Sequence, residues 1–346
     1  MTLCASWVRH GKDDEGDELV FATDSRLSGG EAWDTGQKLF DLGRKDALLC
    51  FAGATNRAYP LILHGGSLQR YNVAWNDPRL DLFDVLESLC NLFTELCQRI
   101  DTSGLSGGAP QPLTGDDEVG FLFGGWSWRK KRFGLWGIGY NPAIKAFTAN
   151  ALHEREDRLP FTFIGDEVER AEELMEEIRI AEKRVFSPAL DMEPLRVLAR
   201  MIGDNGYPSI GGSMQIAKVY QSGLHEFFGV RMPSGNMAIL GRDVNPYDAP
   251  PLRFIEFQTG ELIENLPVEF RDLQTYEFGV DTKFVCDCYP NGRLKAPLPE
   301  AHRKRLHRIF KDIAYSDFVK RREEASVSAS AEQPALTIEN SSDEGA

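Results

Sequence analysis

Residues 1–8 read MTLCASWV, and residues 18–26 read ELVFATDSR. The first stretch places a strand at the very start of the chain, with a threonine directly behind Met1. Chain ends are usually polar and frayed unless something ties them down. The segment HGKDDEGD (10–17) lies between the two stretches and holds only polar, charged and glycine residues, the composition of a turn. The spacing predicts a hairpin of strands 2–9 and 18–26 with a long loop.

Working outward, KLFDLG (38–43) and ALLCFAG (47–53) read as two further strands joined by the charged turn RKD, and CFAGATNRAY runs from strand into helix. In residues 80–100 the apolar positions Leu82, Val85, Leu86, Leu89, Leu92, Phe93, Leu96 and Ile100 recur at three and four, which predicts a helix with one buried face. Residues 101–117, rich in Gly, Pro and Ser, read as a surface loop. Strands are predicted at 119–126, 132–139 and 143–149, helices at about 166–184 and 191–203, and strands at 213–223 and 226–232.

Strands and helices therefore come in blocks. A doubly wound parallel sheet needs strict alternation, so this order favours an α+β fold with antiparallel sheets. Two such sheets packed face to face, with helices on both outer faces, make a four-layer αββα sandwich. The core is expected over 1–235. Residues 236–318 are Pro-rich and irregular, with a short basic helix at about 300–316, and are expected to form an extension packed on the core. Residues 319–346 carry few large apolar side chains and many Ser, Ala and Glu, so disorder is expected.

The 346 residues are 42% hydrophobic and 27% charged, with a formal net charge of −14. Phosphate contacts require a basic face, so the charge argues against nucleic acid as the main partner. No apolar run approaches membrane-spanning length, and a cytoplasmic location is expected. The six cysteines, Cys4, Cys50, Cys90, Cys97, Cys286 and Cys288, are spread through the chain and read as reduced residues. Cys286 and Cys288 form a C-x-C pair without a second pair to complete a zinc site, so no metal is expected.

TLCASWV, LVFATDSR, GQKLFDLG and LLCFAG, in that order, resemble the start of the proteasome-type N-terminal nucleophile hydrolases. In that family a mature chain begins with a catalytic Thr. An Asp-x-Arg triplet, a Lys before an apolar strand and an Ala-Gly pair then follow. The counterparts are Thr2, Asp24-Ser25-Arg26, Lys38 and Ala52-Gly53. FLFGGW, FTFIGDEVERAEELMEEI and GDNGYPSIGGSMQIAKV resemble later segments of the family, so the resemblance covers about residues 2–232. There are departures. The first hairpin loop is long. Asp166 stands where the family has a serine after Ile-Gly. The Asp…Ser-Gly-Gly turn is stretched, which leaves Ser209 and Ser213 both open for the serine role beside Asp204.

The resemblance implies the αββα fold, a threonine-type amidohydrolase acting most readily on peptides, no cofactor, and a ring-like homo-oligomer. Removal of Met1 would give Thr2 a free amine. A hydroxyl is a weak nucleophile until a base takes its proton, and an α-amine with a pKa of about 7.7–8.0 is such a base near neutrality. By the resemblance, Lys38 would stabilise the alkoxide, provided that the first and third strands are near neighbours. Asp24 would hold Lys38, Arg26 would brace the loop, and the Gly53 N–H would face an oxyanion. Asp204 with Ser209 or Ser213 would bond the amine.

Each residue has a plainer reading. Asp24 and Arg26 could be a turn with a surface ion pair, Lys38 an exposed edge-strand lysine, and Gly53 only a turn. The SIGGS segment lacks the Gly-Lys-Ser/Thr ending of a phosphate loop. Cys4 would be a nucleophile only if MTL were cut, and reads as a buried strand residue. A silent assembly subunit and a small-molecule acylase are the alternative functions.

Overall fold

The structure is a computed structural model that describes residues 2–11, 16–28, 31–71, 80–99, 119–152, 161–185, 187, 189–244, 253–263, 280–289, 294–295 and 297–331. The chain divides into two compact units. One comprises residues 1–244 and 252–263, and the other residues 245–251 and 264–346.

The first unit opens with β1 (Leu3–Arg9) and β2 (Glu18–Thr23), followed by the short hairpin strands β3 (Leu27–Ser28) and β4 (Ala32–Trp33). Next come β5 (Leu39–Phe40), β6 (Ala47–Gly53), α1 (Thr55–Tyr71) and α2 (Leu82–Gln98). Then follow β7 (Val119–Ser127), β8 (Arg132–Asn141), β9 (Ala146–Ala151), β10 (Phe161–Gly165), α3 (Val168–Ala181) and α4 (Glu193–Gly203). The unit closes with β11 (Gln215–Tyr220), β12 (His225–Arg231), β13 (Met237–Ile239), β14 (Arg242–Val244) and β15 (Phe254–Glu256). The strands make an eight-stranded sheet in the order β10-β1-β2-β11-β12-β13-β14, with β15 paired to β12, and a five-stranded sheet in the order β5-β6-β7-β8-β9. All pairings are antiparallel except β12–β15. The fold is α+β.

Side chains on a strand alternate between faces, and here both faces of each sheet are used. Leu3, Ala5, Trp7, Val20 and Ala22 pack in one cluster with Leu174, Met175 and Ile178 of α3 and Leu195 and Leu198 of α4. Their neighbours Cys4, Val8, Leu19 and Phe21 pack instead with Leu48, Cys50, Ala52, Leu122 and Leu135 of the second sheet. On that sheet's other face, Leu49, Phe51, Phe121, Phe123 and Ile138 join Leu61 and Ile62 of α1 and Leu89 and Phe93 of α2. Burial on both sides is why MTLCASWV is apolar almost throughout.

Several boundaries differ from those the sequence predicts. The strand expected at 38–43 is two residues long, because Leu42 and Gly43 take positive φ and Asp41 Oδ1 accepts from Gly43 N at 2.9 Å to make a turn. FTFIG forms β10, which pairs with β1 and was expected only as the approach to a helix. The core does not close at 235. Residues 237–244 and 254–256 extend the first sheet.

The second unit includes α5 (Thr282–Cys288) and α6 (Glu300–Ala331) around Val285, Cys288, Leu298, Leu306, Phe310 and Ile313. Helix α6 runs well past 316, through residues expected to be disordered. Ala, Arg, Lys and Glu are good helix formers, and neither Gly nor Pro interrupts residues 300–331. The loop expected at 101–117 and the tail beyond Ala331 lie outside the described residues, as do residues 12–15 of the first hairpin loop.

Phe21 is fully buried between the sheets. Phe21→Ala should cost about 3–5 kcal/mol of stability, measured by urea unfolding; a loss under about 1 kcal/mol would contradict that packing.

Candidate active site

The antiparallel register gathers the residues. Cys4 pairs with Thr23 on one side of β1 and with Ile164 on the other, and Gln215 of β11 also pairs with Thr23. The start of β1, the end of β2, the end of β10 and the start of β11 therefore meet at one end of the sheet. Asp24 follows β2 directly, and its Oδ1 accepts from Leu3 N at 3.2 Å. Its Oδ2 accepts from Arg26 N at 3.1 Å and from Gly211 N at 3.0 Å.

Lys38 arrives from the opposite sheet. Its carbonyl accepts from Phe51 N at 3.3 Å in the β5–β6 ladder, and its Nζ reaches across to Asp24 Oδ1 at 2.9 Å. The Nζ also donates to the Arg26 carbonyl. Both side chains of this ion pair are 0% exposed. The first and third strands are thus not neighbours in one sheet; they belong to two sheets that face each other. The exposed edge-lysine and surface-turn readings do not describe Lys38 and Asp24.

Burial pushes the Lys38 ammonium below its ordinary value of 10.5, against the attraction of Asp24 and, more weakly, of Cys4 and Asp166. Burial likewise pushes the Asp24 carboxyl up, against the pull of Lys38 and the N–H donors of Gly211 and Leu3. Cys4 is a buried strand residue, with its Sγ bonded to the Phe51 carbonyl at 3.0 Å.

Thr2 is 1% exposed. Its carbonyl accepts from Asp166 N at 2.8 Å. Gly165 takes φ +109, and a Cβ there would lie 1.9 Å from the Thr2 carbonyl oxygen and 2.9 Å from Ala52 Cβ. Only glycine fits such a clasp. The same contact brings the end of β6, where Gly53 has φ +105, beside the start of β1.

Arg26 turns away from the ion pair. It donates to Asp34 at 2.6 and 3.0 Å and to the Pro208 carbonyl at 3.3 Å. The hydrogen bonds from the Arg26 guanidinium hold the Asp34 carboxyl below its ordinary range. Ser25 Oγ donates to the Asp34 carbonyl at 2.5 Å and accepts from Ser213 N at 2.7 Å. Ser213 is therefore attached through its backbone beside Asp24, and Ser209 is half-buried next to Ile210. Asp204 is exposed at the end of α4, where its Oδ1 accepts from Gly206 N at 2.8 Å.

Two contributors lay outside the predicted set. Gln215 Oε1 accepts from Lys38 N at 3.0 Å, and its Nε2 donates to the Gly36 carbonyl at 2.7 Å. Gly211 supplies an N–H to Asp24, and a Cβ there would lie 2.5 Å from Arg26 Cζ. The signal for Gly211 was in SIGGS, where the serines drew attention instead. Nothing local marks Gln215. A cavity of about 420 Å³ opens at the opposite end of the β1–β2 hairpin, lined by Val8, His10, Asp17, Trp126 and Trp136 among others, and shares no residue with this cluster.

No protein-family model and no curated protein sequence matches the chain. The reading of the site therefore rests on its own geometry.

Removing one partner of a buried ion pair strands the other charge. Lys38→Met and Asp24→Asn should each cost about 3–5 kcal/mol, and the double variant much less than their sum, by urea unfolding; additive losses would show that the two charges are uncoupled. The pH dependence has a defined sign. Because the folded-state pKa of Lys38 lies below 10.5, the unfolded chain binds more protons between the two values. Stability of the wild type relative to the double variant should therefore rise with pH across that window, up to about 10.5.

Proposed function

We propose that this chain is a threonine-type N-terminal nucleophile amidohydrolase with the four-layer αββα architecture of that class, acting on peptide or related amide bonds as a subunit of a homo-oligomer. The observation that carries the reading is the fully buried Lys38–Asp24 pair, tied through Asp24 Oδ1 to the N–H of Leu3, the residue after Thr2. A lysine that served only as a surface charge would not be held there. The three clusters that line both faces of both sheets support the layered architecture.

The mechanism begins with removal of Met1, which frees the Thr2 amine. That amine takes the proton from Thr2 Oγ1 as the oxygen attacks the carbonyl carbon of the substrate, breaking the C=O π bond and placing charge on its oxygen. The Gly53 N–H would donate to that oxyanion, where one donor is worth roughly 3 kcal/mol. The Lys38 ammonium lowers the cost of negative charge nearby. Collapse of the tetrahedral adduct breaks the C–N bond, and the protonated Thr2 amine gives its proton to the leaving nitrogen. Water then attacks the resulting ester, with the amine again as base, and restores Thr2. Asp166 N–H on the Thr2 carbonyl holds the nucleophile in place. Arg26 braces the loop through Asp34. Ser209 or Ser213 would orient the amine.

A second reading is a silent assembly subunit. It is favoured by Asp166, which adds a carboxylate near Lys38 where the resembled family has a hydroxyl, and by the 1% exposure of Thr2. Intact mass separates the two. The active reading expects loss of Met1 and one equivalent of an epoxyketone or β-lactone probe on Thr2. Hydrolysis of peptide reporters should fall to background in Thr2→Ala. Quantitative retention of Met1 together with no labelling would overturn it and leave the silent subunit.

A further inference from the structure

The cavity at the far end of the β1–β2 hairpin has a volume of about 420 Å³, within the range that encloses small ligands. Every residue that lines it belongs to the first unit. Four aromatic rings are among them, those of Phe83, Trp126, Phe133 and Trp136. Trp126 meets Phe133 edge-on with centroids 5.0 Å apart, and Phe83 meets Trp136 edge-on at 5.0 Å. In an edge-on pair one ring keeps both faces clear of the other, which leaves stacking surface for a further flat ring. The lining also includes Gln221 and His10, whose Nδ1 lies 3.1 Å from Asp17 Oδ1.

The rim is cationic. Residues 129–132 read RKKR, the longest unbroken run of Lys and Arg in a chain whose net charge is −14. They lie at the exposed turn that joins β7 to β8. Ser127 Oγ accepts from Lys130 N at 3.0 Å and donates to the buried Asp81 at 2.7 Å, which fastens this turn to the start of α2. Two of the four cations are engaged with α2. Arg129 pairs with Asp84 at 2.9 Å, and Lys130 Nζ lies 3.6 Å from the centroid of the Phe83 ring. The other two, Lys131 and Arg132, line the cavity. Lys131 takes φ +51, a conformation that glycine adopts at no steric cost, yet the position carries a cation. It has no ion-pair partner among the described residues.

We infer that this cavity binds a nucleotide, the base stacked against the aromatic side chains and the phosphates on Lys131 and Arg132. A group of multiple negative charge suits two adjacent cations with two more in the same turn, and a guanidinium meets phosphate oxygens in pairs. The rings take the other half of the ligand, since every base offers a flat face for stacking on aromatic side chains. His10, Asp17 and Gln221 supply the few donors and acceptors that orient a ligand in an aromatic-walled site. A single nucleotide fits better than a strand, because the net charge of −14 opposes a polyanion along the rest of the surface. The inference does not rest on Thr2 or on the proposed chemistry, and the two sites share no residue.

Calorimetric titration of the full chain with ADP, in about 100 mM salt, tests it. ADP should bind with a Kd at or below about 100 μM. Adenosine, which has only the ring system, and pyrophosphate, which has only the charge, should each bind at least about tenfold more weakly. Lys131→Glu/Arg132→Glu should weaken ADP at least about tenfold, and thermal unfolding should match wild type because both positions are exposed. Trp126→Leu should weaken ADP and adenosine by the same factor; if that variant fails to fold, the rim variant still decides the matter. Arg303→Glu/Arg308→Glu makes the same charge change at exposed positions of α6 and should leave ADP binding unaltered. A Kd for ADP weaker than about 1 mM overturns the inference. So does pyrophosphate that binds as tightly as ADP, affinity that survives reversal of Lys131 and Arg132, or an equal loss in the α6 variant.

Discussion

A lysine from one sheet and an aspartate from the other meet in the interior, and both are sealed from solvent. Taking two charges out of water costs several kcal/mol for each, and their attraction offsets this only with good geometry and further hydrogen bonds. Those bonds are present. Asp24 accepts from Leu3, Arg26, Gly211 and Lys38, while Lys38 also reaches the Arg26 carbonyl. The pair therefore joins the two sheets and the start of the chain at one point. Replacing a buried ion pair by a hydrophobic pair of the same volume often leaves a core as stable or more so, so the pair is weak evidence for a role in stability alone. A charge held beside the second residue of the chain is what the proposed nucleophile would use.

The surroundings of the pair follow from close approach. Gly165 and Gly211 sit where a side chain would collide with the Thr2 carbonyl and with the Arg26 guanidinium. Arg26 is drawn outward by Asp34 and Pro208 and fastens the loop that presents Gly211. Gln215 locks the backbone of Lys38 to that of Gly36. Asp166 combines two roles, since its N–H holds the Thr2 carbonyl while its carboxylate adds to the field around Lys38. This added negative charge is what keeps a silent subunit in contention beside an active hydrolase.

Much of the fold was legible because periodicity reports burial. The apolar residues in MTLCASWV and ALLCFAG marked strands, and the three-and-four spacing after residue 80 marked α2. Legibility failed where long-range pairing decides structure. FTFIG is short and became a strand because β1 offered a free edge. Residues 237–244 and 254–256 carry weak local signals and were recruited by β12 and its neighbours. In α6, the low apolar content of its last third predicted disorder, whereas intrinsic propensity with no breaker extends the helix.

The sequence by itself determined the block order of strands and helices, the near-continuous apolar runs of β1, β2 and β6, and the placing of Thr2, Lys38 and Gly53 at element ends. Residue type and spacing act over a few neighbours, and that range suffices for these features. Only the tertiary structure decided that Lys38 crosses between sheets to a buried carboxylate, that Gly211 and Gln215 complete the cluster, and that Asp204 lies exposed at a helix end. Those outcomes depend on register between strands far apart in the chain and on the desolvation of charges brought together there, neither of which any local stretch of residues encodes.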